Sequence, residues 1–311
     1  MFVNKLTMKI GYIGLGKMGK NMVLRLLEKG IEVVAWNRSP EPRQEVKEKG
    51  ATVTETVEEL MSSLDTPRII WLMLPAGEAT DELINKITPL LSRGDLVIDG
   101  ANAFYKDTIR RGKAFESLGV NYMDIGVSGG PDGARNGACL MVGGSEDDYN
   151  KILPIVEAAS APNAYGYLGP LGSGHFAKMV HNGIEYGMME AIAEGLSVIK
   201  NSDFDIDLIK TLEVYNNKSV IESRLVNWMR EALINDIDLE NTSSEIGDLG
   251  EGKWTIDTAN ELNVDVPVIE KSYEVRVQSR SGVQDLKNIF RNKAVSAMRG
   301  QFGHHDVKIK Q

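Results

Sequence analysis

The chain has 311 residues, of which 42% are hydrophobic, and a formal net charge of −9. This length is sufficient for two domains with separate cores, and the acidic excess argues against a nucleic-acid partner, although a local basic pocket could still bind a small anion. No apolar run approaches the roughly 20 residues needed to span a membrane, so we expect no membrane partner.

The first half of the chain alternates short apolar runs with helical stretches. Helices are predicted between most of these runs, for example over residues 18–29, followed by Gly30, and over residues 57–62. This alternation predicts a mostly parallel sheet with helices on both faces, which is an α/β Rossmann-type doubly wound fold. The predicted strands are 9–14, 32–37, 68–74, 95–100, 121–128 and 138–144.

The character of the sequence changes at the Gly/Pro-rich "YGYLGPLGSGH", residues 165–175. Strand patterns end there, which predicts an all-α C-terminal domain. We expect one domain over 1–172 and a helical domain over 173–311. The predicted helices are 175–200, 206–215, 222–233, 253–262 and 266–280, and the acidic segment 231–251 is expected to be a mobile loop before Lys253.

A glycine-rich turn with the pattern G-x-G-x-x-G follows the first predicted strand and opens a helix. In this context, Gly14 allows a tight turn, Gly16 lets backbone N–H groups reach a pyrophosphate, and Gly19 lets the helix pack close to the strand. The turn therefore predicts a dinucleotide-binding loop, although a strand–helix turn without a ligand would share the pattern. The residues assigned to this loop are Gly14, Leu15, Gly16, Lys17, Met18 and Gly19.

The cofactor is predicted to be NADP, with NAD as the alternative. An NAD site normally has an acidic residue about 20 residues after the glycines, where it binds the ribose hydroxyls. This chain has Asn37, Arg38 and Ser39 instead, and an arginine can bind a 2′-phosphate through two hydrogen bonds. Arg38 could also be a solvated surface residue, or could stack on the adenine of NAD.

The long predicted helix from residue 174 carries a polar face within an otherwise apolar or small-residue sequence. Lys178, His181, Asn182 and Glu185 lie on this face because their spacing is helical. Such a face is costly to bury unless it is paired or lines a cavity. Lys178 and Glu185 are separated by about 10 Å along the axis, which is too far for a direct salt bridge but suits a small sugar acid held from two ends.

Burial of this face would favour a neutral Lys178 amine as general base and a protonated Glu185 as general acid. In the alternative interpretation, both are structural charges that neighbouring groups satisfy. A second stripe, of small residues, fits close helix packing within or between subunits. It consists of Gly183, Gly187, Ala191 and Gly195.

Six motifs spread along the chain are "IDGAN" (98–102), "GVSGGPDGARNG" (126–137), "GHFAKMVHNGIEYG" (174–187), "GEGKWT" (250–255), "YEVRVQSR" (273–280) and "RGQFGHH" (299–305). Together they resemble the decarboxylating 6-phosphogluconate dehydrogenases in their shorter bacterial form, within the β-hydroxyacid dehydrogenase superfamily. The resemblance covers almost the whole chain. Its most specific part is "KMVHNGIEY", whereas "GVSGG" is shared more widely in the superfamily.

The resemblance implies oxidative decarboxylation of 6-phosphogluconate to ribulose 5-phosphate and CO₂ with reduction of NADP, in the pentose phosphate pathway and gluconate utilization. Together with the glycine-rich turn, it implies that the domain over 1–172 binds NAD(P) and that the domain over 173–311 serves substrate binding and dimerisation. It implies Lys178 as catalytic base and Glu185 as catalytic acid, with His181 and Asn182 orienting the sugar hydroxyls. Asn102 would contact both substrate and cofactor. The other implied substrate-binding residues are Ser128, Gly129 and Gly130 in loops, Tyr186, Lys253, Thr255 and Arg276 around the phosphate, and Arg299 and His305 in a tail that reaches the partner subunit's substrate.

The chain departs from the family pattern in three respects. Ala101 replaces the second glycine of "DGGN", and Pro131 and Asp132 stand where acidic residues are frequent. The second helical repeat of the long enzymes is missing. We expect a homodimer or homotetramer, and this last difference leaves open whether the tail over 299–305 acts within its own subunit or on its partner.

Two other functions remain open on the sequence alone. A 3-hydroxyacid dehydrogenase acting on an unphosphorylated substrate would use the glycine-rich turn, Lys178 and Asn182, but would have no use for Glu185 or Arg276. A non-catalytic NADP-binding redox sensor would need neither Lys178 nor Glu185.

The histidines and the single cysteine bear on metal binding and disulfide formation. No spacing of the four histidines matches a metal-binding motif, so we expect no metal. Cys139 is the single cysteine, which excludes an intramolecular disulfide, and we expect its side chain to be a small buried hydrophobe. The segment "MFVNKLT" is not followed by the apolar region of a signal peptide, so we expect a cytoplasmic protein.

Overall fold

The computed structural model describes residues 8–282, 286–303 and 306–307. The chain divides into two compact units, Met1–Lys178 and Met179–Gln311, and the division falls inside one long helix. The predicted domain boundary after residue 172 lies just before that helix begins. The architecture agrees with the predicted fold class, because a mostly parallel sheet flanked by helices precedes a helical unit.

An eight-stranded sheet forms the centre of the first unit. Its strands are β1 (Lys9–Ile13), β2 (Glu32–Trp36), β3 (Thr52–Val53), β4 (Ile69–Leu72), β5 (Leu96–Asp99), β6 (Asn121–Ser128), β7 (Ala138–Gly143) and β8 (Ser160–Gly169). They are ordered β3-β2-β1-β4-β5-β6-β7-β8. All neighbours pair in parallel except β6 and β7, which are antiparallel.

Helices connect these strands and cover the sheet. They are α1 (Lys17–Glu28), α2 (Pro40–Lys47), α3 (Val57–Ser62), α4 (Glu78–Ile87), α5 (Tyr105–Glu116), α6 (Gly130–Asn136) and α7 (Glu146–Ala159). Two apolar clusters lie on the two faces of the sheet because side chains alternate along each strand. On β5, for example, Ile98 belongs to one cluster and Val97 to the other.

The long helix α8 (Ser173–Lys200) leads from the first unit into the second. The second unit continues with α9 (Leu208–Tyr215), α10 (Arg224–Asn235), α11 (Glu251–Glu261), α12 (Pro267–Ser279) and α13 (Ile289–Gly303). A separate apolar core holds this unit together and includes Met189 of α8, Met229 of α10 and Met298 of α13, each with no exposed surface. Among the described residues, no helix combines the length and apolar character needed to cross a membrane.

Helix starts in both units follow the capping residues of the sequence. The side chains of Thr56, Ser145 and Ser223 each accept a hydrogen bond from the backbone N–H three residues later. Asp207 accepts from the N–H groups of both Ile209 and Lys210. Such caps satisfy donors that have no partner within the helix, and each contributes about 1 kcal/mol.

The structure differs from the sequence-based expectations at five places. Strands β3 and β8 and helix α13 are not among the predicted elements. The expected mobile loop over 231–251 is shorter in the structure, because residues 231–235 belong to α10 and Glu251 begins α11. Leu239 and Ile246, between these helices, are buried in the core of the second unit, so this segment is packed rather than loose. The expected burial of Cys139 is wrong, because its side chain is exposed on β7.

Candidate active site

The glycine-rich turn connects the carboxyl end of β1 to the start of α1. Gly14 has a φ of +102°, and a Cβ atom there would lie 2.2 Å from the Met73 carbonyl oxygen; a Cβ at Gly19 would lie 2.0 Å from the Gly14 carbonyl oxygen. The protein's own packing therefore requires both glycines. A Cβ at Gly16 would meet no described atom within 4 Å, so the space in front of this residue is open for a ligand to approach the backbone.

The start of α1 can receive an anion. Gly16 is its N-cap residue, and no side chain caps the helix there. The first N–H groups of a helix and its dipole favour a phosphate at this position. The turn thus has the geometry that a dinucleotide-binding loop needs.

The segment after β2 lies beside this turn. The side-chain oxygen of Asn37 accepts a hydrogen bond from the Leu15 N–H at 2.9 Å, and its amide donates to the Ser39 carbonyl at 3.1 Å. Arg38 and Ser39 are exposed. Asn37 therefore ties the glycine-rich turn to a loop that presents a cation and a hydroxyl, without a carboxylate at residues 37–39.

The loops after β5 and β6 leave the sheet at the same edge, because these neighbouring strands are parallel. Asn102 follows β5, and Ser128 ends β6. Gly129 and Gly130 then adopt φ values of +119° and +63°. Successive N–H groups in such a turn can form a concave anion-binding site, so the described geometry is consistent with the predicted substrate-contacting role of this loop.

Lys178 lies on α8 beside strand β6 and is only 8% exposed. A Cβ atom built on Gly126 would lie 2.5 Å from the Cβ of Lys178. Gly126 and Ser128 are two residues apart on β6 and therefore face the same side of the sheet. The strand that positions Ser128 thus also contacts the backbone region of Lys178.

A buried charge network supports the same edge of the sheet, and sequence analysis did not identify it. Asp99 accepts hydrogen bonds from the Ala101 N–H at 3.1 Å, the Tyr122 hydroxyl at 2.8 Å and the Arg111 guanidinium at 3.3 Å. Arg111 also donates to Asp81 at 2.9 Å. This network fixes the start of the loop that carries Asn102 and connects it to helix α4.

In the second unit, the polar residues of α8 interact with one another. The His181 Nδ1 atom lies 3.1 Å from the side-chain oxygen of Asn182 and 3.8 Å from a carboxylate oxygen of Glu185. Asn182 is 8% exposed, and the Glu185 side chain is 21% exposed. The predicted polar face therefore exists, and its members can constrain each other's orientation.

An arginine cluster, formed by Tyr186, Gly247, Arg276 and Arg299, lies in the second unit. The Arg276 guanidinium stacks over the Tyr186 ring, 3.4 Å from its centroid, and donates to the Gly247 carbonyl at 3.3 Å. A Cβ on Gly247 would lie 2.7 Å from an Arg299 nitrogen. One backbone segment therefore contacts both arginines, which are 1% and 8% exposed.

The two arginines of this cluster are held in an unfavourable environment. Burial lowers the pKa of Arg276 to about 10; Tyr186 opposes this shift, whereas Arg299 adds to it. Burial likewise lowers the pKa of Arg299, against the effect of nearby Tyr186 and the carboxylate of Glu251. Both side chains remain protonated near neutral pH, so the cluster is a concentrated positive site that a bound anion would stabilise.

Two of the predicted phosphate-binding residues make other contacts. Lys253 is exposed on α11 and pairs with Asp257 at 2.8 Å. The Thr255 hydroxyl donates to the Met179 carbonyl at 2.8 Å, and its methyl group packs against Gly183. The structure therefore brings Tyr186, Arg276 and Arg299 together, whereas Thr255 fastens α11 to α8 and Lys253 pairs within α11.

Helix α13 explains the position of Arg299. The expected tail is helical up to Gly303, and an ion pair between Glu190 of α8 and Arg291 of α13, at 3.1 Å, connects the two helices. Sequence analysis did not identify this pair, because its partners are distant in the chain. His305, the other predicted residue of this tail, lies outside the described residues.

Comparisons with known families cover most of the chain. Residues 9–169 match the NAD binding domain of 6-phosphogluconate dehydrogenase. Residues 174–307 match the 6-phosphogluconate dehydrogenase, C-terminal domain. The two matches follow one another in the order of the two units.

Individual relatives support the same grouping. A Bacillus subtilis (strain 168) protein, YqeC, is 42% identical over 303 residues, covering 97% of this chain and 100% of that protein. The "6-phosphogluconate dehydrogenase, NAD(+)-dependent, decarboxylating" of Haloferax volcanii is 37% identical over 305 residues, covering 97% of this chain and 99% of the relative. The structure of Plasmodium falciparum 6-phosphogluconate dehydrogenase, studied apo, with its cofactor NADP⁺ and with its substrate 6-phosphogluconate, has a TM-score of 0.79 and 33% identity, covering 93% of this chain and 70% of that chain. The chain therefore belongs to the 6-phosphogluconate dehydrogenase family.

Proposed function

We propose that the chain oxidatively decarboxylates 6-phosphogluconate to ribulose 5-phosphate and CO₂ while reducing NADP, with NAD as the alternative cofactor. The observation that carries this proposal is the arginine cluster. Arg276 and Arg299 place two buried cations against one backbone segment, in a protein of net charge −9. A phosphate is a ligand that makes such an arrangement favourable.

The mechanism follows from the residues of helix α8. Lys178, as a neutral amine, removes the proton of the 3-hydroxyl group. NADP, held by the glycine-rich turn and by Asn37, Arg38 and Ser39, would supply the acceptor for the hydride from C3. The resulting 3-keto acid loses its carboxylate as CO₂, because the new carbonyl group accepts the electrons of the breaking bond. Glu185 then protonates the enediol at the carbon that becomes C1 of ribulose 5-phosphate. His181 and Asn182 orient the sugar hydroxyls.

Other residues of the proposed site bind the two ends of the substrate and the cofactor. The loops with Asn102, Ser128, Gly129 and Gly130 would contact the sugar acid, and Tyr186 would contact the phosphate beside the arginines. Lys253, Thr255 and His305 remain proposed substrate residues through family resemblance. The proposed cofactor residues are Asn102 and those of the glycine-rich turn, Gly14, Leu15, Gly16, Lys17, Met18 and Gly19, together with Asn37, Arg38 and Ser39.

The two rival functions fit these observations less well. A 3-hydroxyacid dehydrogenase for unphosphorylated substrates has no role for buried Arg276 and Arg299, whose burial is costly without an anion. A redox sensor without catalysis has no role for Lys178. We therefore favour the decarboxylating dehydrogenase over both.

The assembly and location of the enzyme are also proposals. We propose a homodimer or homotetramer, because α8 exposes Ile184, Met188 and Val198 by 53%, 42% and 72%, respectively, and such an apolar row suits a subunit interface. We further propose a cytoplasmic location, consistent with a single cysteine. The reaction would serve the pentose phosphate pathway and gluconate utilization.

An assay with 6-phosphogluconate and either NADP or NAD tests the proposed reaction. The expected result is a rise in the ultraviolet absorbance of the reduced nicotinamide, with release of one CO₂ per hydride transferred. Gluconate, which lacks the phosphate, should be a much poorer substrate. The proposal fails if neither cofactor is reduced, or if reduction occurs without CO₂.

Replacement of Arg38 by alanine tests the cofactor preference. The KM for NADP should rise about tenfold or more, since a charged hydrogen bond to the 2′-phosphate contributes about 1.5–3 kcal/mol. The KM for NAD should change little. Arg93→Ala is the matched control, because Arg93 is also an exposed arginine but precedes β5, at the opposite edge of the sheet. Equal losses with both cofactors in Arg38→Ala would contradict a 2′-phosphate contact.

A further inference from the structure

The first turn of α8 is anchored by a carboxylate from a distant strand. Asp124 of β6 accepts hydrogen bonds from the backbone N–H groups of Gly172 and His175, both at 2.7 Å. Asp124 has no exposed surface. It therefore satisfies donors at the helix start that usually need a cap from the helix's own sequence.

The start of α8 has no side-chain cap from its own sequence. The Gly172 carbonyl accepts the first bond of the helix, from the Phe176 N–H, so the N-cap residue is a glycine and Ser173 is the first helical residue. Its hydroxyl group is buried and makes no hydrogen bond within the described part of the chain. The helix start is thus held by the sheet rather than by its own side chain, at the cost of burying a carboxylate. Burial raises the pKa of Asp124, and His175 together with the two backbone N–H groups opposes this shift.

The backbones of β6, β7 and α8 approach each other closely around this carboxylate. A Cβ on Gly174 would lie 2.4 Å from the Met141 carbonyl oxygen, and a Cβ on Gly143 would lie 2.5 Å from an Asp124 carboxylate oxygen. Larger residues at these glycines would displace the helix from the sheet. The helix start therefore has little freedom to shift along or away from β6.

Three residues on one face of β6 contact α8 or lead into the proposed substrate loop. Asp124, Gly126 and Ser128 are two residues apart and point to the same side of the strand. Asp124 anchors the start of α8, Gly126 contacts Lys178, and Ser128 ends the strand in the proposed substrate loop. Strand β6 therefore fixes the position of Lys178 relative to Ser128.

A second tether acts on the same turn. The His175 Nδ1 atom lies 2.7 Å from the Thr108 hydroxyl of α5, and the ring is only 1% exposed. His175 and Lys178 are three residues apart and therefore lie on the same side of the helix. Helix α5 and strand β6 together restrict rotation of the turn that precedes Lys178.

We infer that Asp124 is a positioning residue for the reaction: its carboxylate sets the register of α8 against β6 and thereby places Lys178 for proton abstraction. This inference rests on the proposed function, in which Lys178 is the general base. Asp124 acts through the backbone of α8. Its loss should therefore impair the chemical step more than the binding of substrate or cofactor, because small displacements of a catalytic group reduce turnover strongly.

The test begins with Asp124→Asn, which keeps the shape of the side chain but replaces one acceptor with a donor. We expect kcat to fall about 10- to 100-fold, while the KM values for 6-phosphogluconate and cofactor stay near those of the wild type. Asp148→Asn is the matched control. Asp148 is 6% exposed in the same unit, but it bonds Asn121, Ser145 and Lys151 rather than α8, so its kcat should not change.

A double variant separates positioning from helix stability. Ser173→Asp, combined with Asp124→Asn, places a carboxylate in the first turn of α8, where the helix dipole favours an acidic group, and should recover the thermal stability that Asp124→Asn loses. If Asp124 positions Lys178, kcat stays low in the double variant, and this variant also provides the comparison if Asp124→Asn alone does not fold. Recovery of kcat in step with Tm would overturn the inference, as would an unchanged kcat in Asp124→Asn.

Failure of the inference about Asp124 can be distinguished from failure of the proposed function. Lys178→Met is assayed in parallel with the Asp124 variants. If the wild-type enzyme has no activity with 6-phosphogluconate, or if Lys178→Met is fully active, the proposed function fails and the positioning role falls with it. If Lys178→Met is inactive and Asp124→Asn matches the wild type, only the inference about Asp124 is overturned.

Discussion

Replacement of Lys178 by methionine is expected to abolish measurable turnover of 6-phosphogluconate while cofactor binding is retained. Methionine preserves much of the length and apolar volume of lysine but has no amine to accept the 3-hydroxyl proton. A positioned general base contributes about 10²- to 10⁴-fold to a reaction rate, so kcat should fall by at least that factor. The stability of the variant should be near that of the wild type, because Lys178 is buried and methionine is more readily buried than an amine.

The measurement combines kcat, cofactor binding and thermal stability. NADPH binding, followed by fluorescence, should be unchanged in Lys178→Met, since the glycine-rich turn follows a different strand. Lys200→Met is the matched control, because Lys200 lies on the last turn of the same helix and is exposed, with Asp238 as its partner at 3.2 Å. Retained turnover in Lys178→Met would show that another group is the base.

The positions of most strands and the predicted dinucleotide turn could be derived from the sequence because their signals are local. Most strands of the first unit are continuous apolar runs, and their helices follow at regular intervals. The exceptions have weak patterns. Strand β3 has only two residues, and β8 is a partly exposed terminal strand that contains Pro162 and several polar residues, so its sequence resembles a linker.

Helix α13 was missed for a different reason. Its buried face includes Asn292, Ser296 and Arg299 as well as apolar residues, so the usual separation of polar and apolar faces is weak. The resemblance of residues 299–305 to a family tail carried no expectation of a helix. The structure shows instead that Arg299 is part of the packed second unit.

Contacts between distant parts of the chain could not be predicted from spacing. Asp124 and His175 are separated by 51 positions, and nothing in either local sequence indicates that one caps the helix of the other. Similarly, Arg276 was identified only through family resemblance, and its stacking on Tyr186 depends on how α12 packs against α8. Motifs and family resemblance could name candidate residues for the site, whereas the contacts that support these residues depend on the tertiary fold.

Replacement of Arg276 by lysine is expected to reduce kcat/KM for 6-phosphogluconate about 10- to 100-fold. Lysine keeps the charge but loses the planar guanidinium that stacks on Tyr186 and can bind a phosphate through two hydrogen bonds. A hydrogen bond to a charged group contributes about 1.5–3 kcal/mol, which corresponds to this range. Most of the loss should appear in KM, because the phosphate is far from the reacting carbons of the substrate.

Comparison with gluconate isolates the phosphate contact. Gluconate lacks the phosphate, so Arg276→Lys should change its kcat/KM far less than that of 6-phosphogluconate, and the preference for the phosphorylated substrate should shrink. Arg280→Lys is the matched control: Arg280 follows α12, is more exposed, and pairs with Asp248 at 2.5 Å. Equal losses on both substrates would mean that Arg276 stabilises the second unit without binding the phosphate. A loss of kcat/KM confined to the phosphorylated substrate would show that Arg276 is buried as part of a phosphate-binding site. A purely structural cation would not distinguish the two sugar acids.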